Sequence, residues 1–409
     1  MASTKNSIDL IKSSYACCGC GACEAVCPVG AISMEGDEFG YRYPTIDSHK
    51  CVNCKKCVRT CSFNNECGGA AVEFGCFAAF DRKGSIMQSA SGGVFGAIAR
   101  RFIESGGVVF GCANISSDAN LKVGHVAVSS VKDLKLLLGS KYVQSDLNGI
   151  FQKVQVCLRE GPVLFSGTPC QVSSLMAYLG GRPRNLFTID LICHGTPNQR
   201  MLNEYLGVRP HSRIARPISV QFRNKSKGWP SSLMMEVVYS DGFNELIPSD
   251  ESSYFDLFLK LYTLRDSCYS CPFAGSSHPA DLTIGDFWGI EQEFPEVNKT
   301  ERGKEIVNNG ISCVLVNTGE GEGLIREFGG DLALYPVGYS SIARHNEQLN
   351  APSHEPEDRL RLLNLFRDGG WAAVEGDWLK QNRFRLMKKR VNALVPKSVK
   401  QVLKSLVKR

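Results

Sequence analysis

Nowhere does this chain run to eighteen uninterrupted apolar residues, so no membrane-spanning helix is expected. Its opening stretch, MASTKNSIDLIKSS, lacks the long apolar centre and cleavage site of a secretory signal, and a cytoplasmic location is expected. Acidic residues are missing from Leu379 to Arg409, where eleven Lys and Arg stand. Without that tail the chain carries 36 basic against 41 acidic residues. The overall charge of +6 is therefore local, which argues against a general nucleic-acid-binding surface. Apolar and charged fractions are ordinary, and the length allows two or three domains. What is not scarce is sulfur: the chain has eighteen cysteines. In a reducing compartment these point to metal ligands and a few small buried side chains, not to a disulfide framework.

Eight of the cysteines fall in two matching runs. The first is Cys17-x2-Cys20-x2-Cys23-x3-Cys27-Pro28 and the second Cys51-x2-Cys54-x2-Cys57-x3-Cys61. This is the bacterial ferredoxin spacing, given twice. Three closely spaced thiolates wrap one face of a cubane, and the fourth cysteine reaches the other cluster. The expected sets are Cys17, Cys20, Cys23 and Cys61 for one [4Fe–4S] cluster, and Cys51, Cys54, Cys57 and Cys27 for the second. Gly19 and Gly21 are expected to let backbone amides approach the cluster sulfurs. Zinc sites use two cysteine pairs instead. Ser62 stands where proline follows the first run, and Cys18 is out of register and reads as a bystander.

Beyond residue 70 strands alternate with helices. The stretch SASGGVFGAIARRFIESGGVVFGCA reads as turn, helix, turn and strand, with Ser91 as N-cap. Val94, Phe95, Ile98, Ala99, Phe102 and Ile103 share one helical face. GPVLFSGTPCQVSSLMAYLGG and LFTIDLICHGTP add two more apolar strands. Such alternation predicts an α/β sheet with ligands outside the strand ends. Two readings of "SGG" stand side by side: backbone N–H groups offered to an anion, or a helix cap with close-packing glycines. Cys170 and Cys193 each follow an apolar strand. Cys268-x2-Cys271-Pro272 needs two further ligands or a redox role. Together these four make a candidate third [4Fe–4S] site, although a buried cysteine is usually a small hydrophobe.

The motifs SGGVFGAIARRF, GSKYVQSD, VLFSGTPCQV, IDLICHGTP and CYSCPFA…ADLTIGDFWG resemble, in order, the coenzyme F420 hydrogenase/dehydrogenase beta-subunit family, from about residue 10 to 350. The resemblance implies FAD beside iron–sulfur clusters, with electrons passing between a cluster relay and a hydride-accepting or hydride-donating substrate. It strengthens the third cluster and makes Ser91, Gly92 and Gly93 candidate pyrophosphate contacts. Lys141 becomes a cation for phosphate or the flavin pyrimidine ring, Tyr142 a stacking ring and Gln144 a hydrogen-bond donor. Gly167, Thr168 and Pro169 would bring backbone near flavin and cluster. His194 is the candidate proton donor, with a structural histidine as the alternative. Asp286 and Trp288 would wall the site, with core packing after a strand as the alternative. Cys67, Cys76, Cys112, Cys157 and Cys313 join Cys18 outside the proposed ligands.

The closing residues repeat apolar positions at helical spacing. Leu386, Met387, Val391, Leu394 and Val395 form one set, and Val399, Val402, Leu403, Leu406 and Val407 a second beyond Pro396. The other face is nearly all Lys and Arg, the pattern of a helix lying on an anionic membrane surface, with a partner-binding helix or a frayed tail as the alternatives. The expected architecture is α+β: a small ferredoxin-like module for two [4Fe–4S] clusters, an α/β flavoprotein region and a basic amphipathic C-terminal helical tail. The expected units are residues 1–70, 71–200, 201–350 and 351–409. The expected activity is an FAD-dependent reductase linked to ferredoxin or another electron carrier. Its substrate would be coenzyme F420-like, or a small or lipid-linked intermediate of surface-polysaccharide synthesis. The alternative is an electron-transfer subunit that relays charge to a partner protein.

Overall fold

Eight strands form one mixed sheet at the centre of the computed structural model, which describes residues 16–63, 70–71, 73–84, 86–116, 121–231 and 233–394. In chain order they are β1 (Cys76–Asp81), β2 (Val108–Ser116), β3 (Leu121–Val128), β4 (Val163–Ser166), β5 (Leu186–Leu191), β6 (Leu282–Asp286), β7 (Ser312–Val316) and β8 (Leu332–Val337). Across the sheet the order is β8-β1-β7-β6-β5-β4-β2-β3. The neighbours β2, β4, β5 and β6 run parallel. The remaining pairs are antiparallel.

The central strands are apolar on both faces because both faces are covered. Within β4, Leu164 enters the core shared with helix α1 (Val94–Glu104), while Val163 and Phe165 enter the core shared with α2 (Ile150–Glu160) and α3 (Pro169–Leu179). Period-two alternation sends neighbours to opposite sides. Each fully buried ring, such as Phe102 and Phe165, contributes about 2–3 kcal/mol by leaving water. Helix α3 starts sharply. Pro169 occupies the first turn, and the Thr168 amide donates to Gln171 Oε1 at 3.0 Å to close a capping box.

Helix α1 begins differently from the sequence expectation. The residue at its N-terminus is Gly93, held at φ +83°. Ser91 is not the cap, because its hydroxyl donates to the Ile311 carbonyl at 2.7 Å.

Residues 16–63 carry a hairpin (Ile32–Gly36 with Arg42–Ile46) and two short helices, Ala22–Ala25 and Lys56–Thr60. Their own buried core is only Cys23, Ile32 and Cys57. An apolar cluster that small cannot hold such a module by itself. Two of the anchors that tie it to the rest are buried side chains. Ala22 packs into the core under α2 and α3. Tyr41 is buried, with its hydroxyl 3.0 Å from the Thr263 carbonyl.

A second layer follows the parallel strands: a three-stranded antiparallel sheet (Pro217–Gln221, Met234–Tyr239, Asn244–Pro248) and the helix Ser253–Leu259. Helix α4 (Arg359–Leu394) packs there too, kinked at Gly370. The chain then returns to the sheet, so β6, β7 and β8 join strands from before residue 200. The expected units 71–200 and 201–350 share one sheet.

On α4 the basic face does not simply face solvent. Arg385 donates to the Asp250 carbonyl at 2.7 Å, and Lys389 pairs with Asp250 at 2.6 Å and Glu251 at 2.7 Å. Leu386 packs on the body, whereas Phe384, Met387 and Val391 are exposed. Residues 395–409, including Val395, Val399, Val402, Leu403, Leu406 and Val407, lie outside the described residues, as does the side chain of Leu394. Among the described residues no helix is long and apolar enough to cross a membrane.

Candidate functional site

The two N-terminal cysteine runs have the same backbone. Gly19 and Gly21 sit at φ +66° and +77°, and the equivalent Asn53 and Lys55 at +51° and +58°. Both loops need left-handed residues, and the second achieves them without glycine, against a penalty of roughly 1–2 kcal/mol each. The bends turn backbone amides toward sulfur: the Ala31 amide lies 3.2 Å from Cys27 Sγ, and the Asn53 amide 3.4 Å from Cys51 Sγ. Cys27, Cys51, Cys54 and Cys57 line one small cavity. Cys17, Cys20, Cys23 and Cys61 are mutual electrostatic neighbours, which helps burial to raise Cys17 to about 11. The fourth cysteine of each run thus stands with the other run's first three. Among the described residues no three His, Cys, Asp or Glu side chains converge on a single metal ion.

A larger cavity, about 490 Å³, opens where β4, β5 and β6 end. That is the side of a parallel sheet where ligands bind. Ser91, Gly93, Lys141, Tyr142, Gln144, Gly167, Thr168, Pro169 and His194 all line it, as do Asp286, Trp288 and the four cysteines Cys170, Cys193, Cys268 and Cys271. Gly92 does not. Its amide donates to Ser312 Oγ at 2.9 Å, and a Cβ there would stand 2.3 Å from the Ala79 carbonyl. This is the close-packing reading of that glycine.

Cys193 is pushed well up by burial, reinforced by the nearby Cys268, Cys170 and Cys271. Burial likewise raises Cys268 and Cys271 to about 11 and about 12. Cys170 is instead lowered by its hydrogen bond from Cys18, so three of the four resist becoming thiolates unless a cation shares them. A cluster's iron would supply that charge.

On the same cavity, Lys141 donates to the Leu138 and Leu136 carbonyls at 2.7 and 3.2 Å and has no carboxylate partner among the described residues. Burial lowers it to about 8. A partly buried ammonium without a counter-ion fits an anionic group such as a phosphate. Tyr142 already has Phe258 stacked on it at 4.7 Å, so one ring face is spent. Gln144 is also committed. Its Nε2 donates to the Cys18 carbonyl at 2.7 Å, and its Oε1 accepts from Arg265. Asp286 accepts from Arg223 at 2.7 Å and from Trp229 Nε1 at 2.8 Å, and Trp288 stacks on Trp229 at 5.1 Å. That carboxylate and ring form a braced wall.

Two family matches bear on these regions. Residues 161–334 match the C terminus of the coenzyme F420 hydrogenase/dehydrogenase beta chain, and residues 16–65 match a 4Fe-4S dicluster domain. Residues 161–334 thus carry the C-terminal domain of that beta-subunit family, behind an N-terminal dicluster domain. The chain is an iron–sulfur redox protein related to that beta subunit, and its dicluster domain implies two [4Fe–4S] clusters.

Among curated relatives, 47 residues are 45% identical to the B component of the Na(+)-translocating ferredoxin:NAD(+) oxidoreductase complex of Acetobacterium woodii, covering 12% of this chain and 13% of that one. The chain therefore spans only a small part of that component's length. An uncharacterized ferredoxin of Methanocaldococcus jannaschii is 39% identical over 57 residues, 14% of this chain and 73% of that one. Among solved structures, a chain of the F420-reducing [NiFe] hydrogenase complex from Methanosarcina barkeri is 18% identical, covering 76% of this chain and 94% of that one, with a TM-score of 0.43.

Three residues in and around the cavity escape a reading of sequence. Cys18, out of register, is buried and hydrogen-bonds both Cys170 and Cys20, joining the dicluster module to the cavity wall. That hydrogen bond is the main reason Cys20 falls to about 6. Lys225 donates to the carbonyls of Ile86, Ser91 and Asn309 and so fixes the loop before α1, with burial lowering it to about 7. His125, buried on β3, donates from Nε2 to the Ser166 carbonyl at 2.9 Å and accepts at Nδ1 from Ser145 at 3.0 Å. Apart from Cys20, their partners lie twenty or more residues away in the chain, so no local spacing marks them.

Proposed function

We propose that the chain is an iron–sulfur flavoprotein oxidoreductase that passes electrons from ferredoxin-type clusters to a hydride-accepting substrate. In this reading the Cys17 and Cys51 sets hold the two N-terminal clusters. Cys170, Cys193, Cys268 and Cys271 hold a third, and the cavity holds FAD. Bound there, the clusters supply single-electron steps and the flavin a two-electron step. What supports the reading is one cavity that brings four cysteines and the unpaired ammonium of Lys141 to the same wall-to-wall space outside the strand ends.

The chain's own residues have definable tasks. Lys141 neutralises a phosphate or the flavin pyrimidine ring, Ser91 and Gly93 border the same anion, and Lys225 holds their loop. The backbone of Gly167, Thr168 and Pro169 walls the space between flavin and cysteines. His194 holds a proton for the substrate, and Asp286 with Trp288 closes the side opposite. The substrate is coenzyme F420-like or a surface-glycan intermediate. An anionic membrane contact through the C-terminal tail would suit a lipid-linked one.

Anaerobic purification tests this. The unmodified chain should carry about twelve irons, four for each of three clusters, and one FAD. Cys268→Ser should lose roughly a third of the iron and leave the N-terminal pair. Lys141→Ala should lower FAD content without lowering iron. Iron near eight that Cys268→Ser leaves unchanged rejects the third cluster, and an absorption spectrum without flavin rejects the reductase.

The alternative reading, a relay subunit without substrate chemistry, is favoured by the family's own designation as a beta chain of larger enzymes. A purified chain that reduces a small molecule with reduced ferredoxin decides against it.

A further inference from the structure

Arg265 is among the most deeply buried side chains of the molecule, 1% exposed. Its guanidinium is always charged. Among the described residues no carboxylate pairs with it. Asp266 is taken by Arg359 at 2.8 Å, and Asp37 accepts the amides of Phe39 and Tyr41. The five N–H groups meet only neutral acceptors: the Cys17 carbonyl at 3.2 Å, the Arg42 carbonyl at 2.9 Å and Gln144 Oε1 at 3.2 and 3.0 Å. The rings of Tyr41 and Tyr43 stand 5.5 and 4.7 Å from it. A buried charge without a counter-ion costs several kcal/mol. What would offset that cost is an anion beside it.

The position of Arg265 says what. Its backbone belongs to the loops of the third cysteine set: its amide donates to the Thr196 carbonyl, and its carbonyl accepts the Cys268 amide at 2.9 Å. Its side chain crosses to the first cysteine run, lying so close to Gly19 that a Cβ there would stand 2.5 Å from Nη2. One residue thus spans the two sets, and it lines the large cavity between them.

We propose that Arg265 is the shared counter-charge of the Cys17-set cluster and the third cluster, holding both at higher potential so that an electron can step from one to the other. This rests on the three-cluster reading above. A thiolate-ligated cubane is anionic and gains one more negative charge with each electron, while no bond forms or breaks. A fixed cation favours the reduced form of each neighbour. The Cys51-set cluster has no such contact with Arg265 and should be indifferent to it.

The test is an EPR-monitored redox titration of the anaerobically purified full chain, with iron counted, for Arg265→Gln, Arg265→Lys and Gln144→Glu. The last places a carboxylate where the amide oxygen now accepts from Arg265. Arg265→Gln and Gln144→Glu should each shift two of three midpoints to lower potential, so that several-fold less of those two clusters is reduced at a fixed potential. Arg265→Lys should shift them less. Should Arg265→Gln lose iron, retention by Arg265→Lys supports the charge, and loss in all three variants reduces Arg265 to a packing element. Three clusters with unmoved midpoints in both neutralising variants overturn the proposal alone. Iron near eight in the unmodified chain overturns the three-cluster reading, and the two-cluster role with it.

Discussion

His125 shows what a single buried residue does to the whole fold's response to acid. Its neutral ring is satisfied on both sides, and Ser145 in turn accepts from Gln171 at 2.9 Å. A proton on Nδ1 would have to displace the Ser145 donor inside the protein. Burial therefore outweighs the Ser166 carbonyl and holds the imidazole at about 4. An unfolded histidine titrates near 6.5. The neutral form is the one the fold prefers, so its stabilisation is complete above about pH 6.5 and is lost as pH falls toward 4. The loss is of order 3 kcal/mol by linkage. His125→Gln should be less stable at pH 7.5 but lose less on acidification. Thermal midpoints of both proteins at pH 7.5, 6 and 5 measure this, and parallel slopes would show that other groups dominate.

Among elements, α4 decides where the body ends and the tail begins. Trp378 Nε1 donates to Asp256 at 2.6 Å, and Arg385 and Lys389 reach Asp250. A helical stripe of Phe384, Met387 and Val391 remains exposed on the other side. Removing residues 380–409 would strip body contacts together with the basic tail. Removing 395–409 touches none of these contacts. The shorter deletion should keep iron, flavin and thermal midpoint, and lose binding to vesicles containing anionic lipid. The longer one should also cost about 1–2 kcal/mol, given partly exposed ion pairs. Binding of the full chain should fall as salt rises, because each basic residue near an anionic surface contributes about 1 kcal/mol that salt screens. Equal binding to neutral vesicles, or undiminished binding after the shorter deletion, would reject the membrane role.

At the scale of the whole molecule, the sheet makes residues 71–350 one folding problem. β6 pairs in parallel with β5 across ninety residues of intervening chain, and β7 places β1 between itself and β8. Expressed apart, residues 71–200 and 201–350 should each fail to give a cooperative thermal transition, since each would expose unpaired central strands. A sharp transition in either fragment would restore the two units expected from sequence. The ferredoxin runs, the βα alternation and the helix 94–104 were legible in the sequence, because ligand spacing and apolar periodicity act over a few residues. The capping of α1 was misread at Ser91, whose hydroxyl found Ile311 more than two hundred residues away. Gly92 likewise answers to Ala79 and Ser312, not to its neighbours in "SGG". Sequence alone determined which cysteines have cluster spacing. Only the tertiary structure decided that Cys18 and Arg265 would stand between two of the sets. Burial and counter-charge are properties of what surrounds a residue, and those surroundings come from loops that meet only once the sheet has closed.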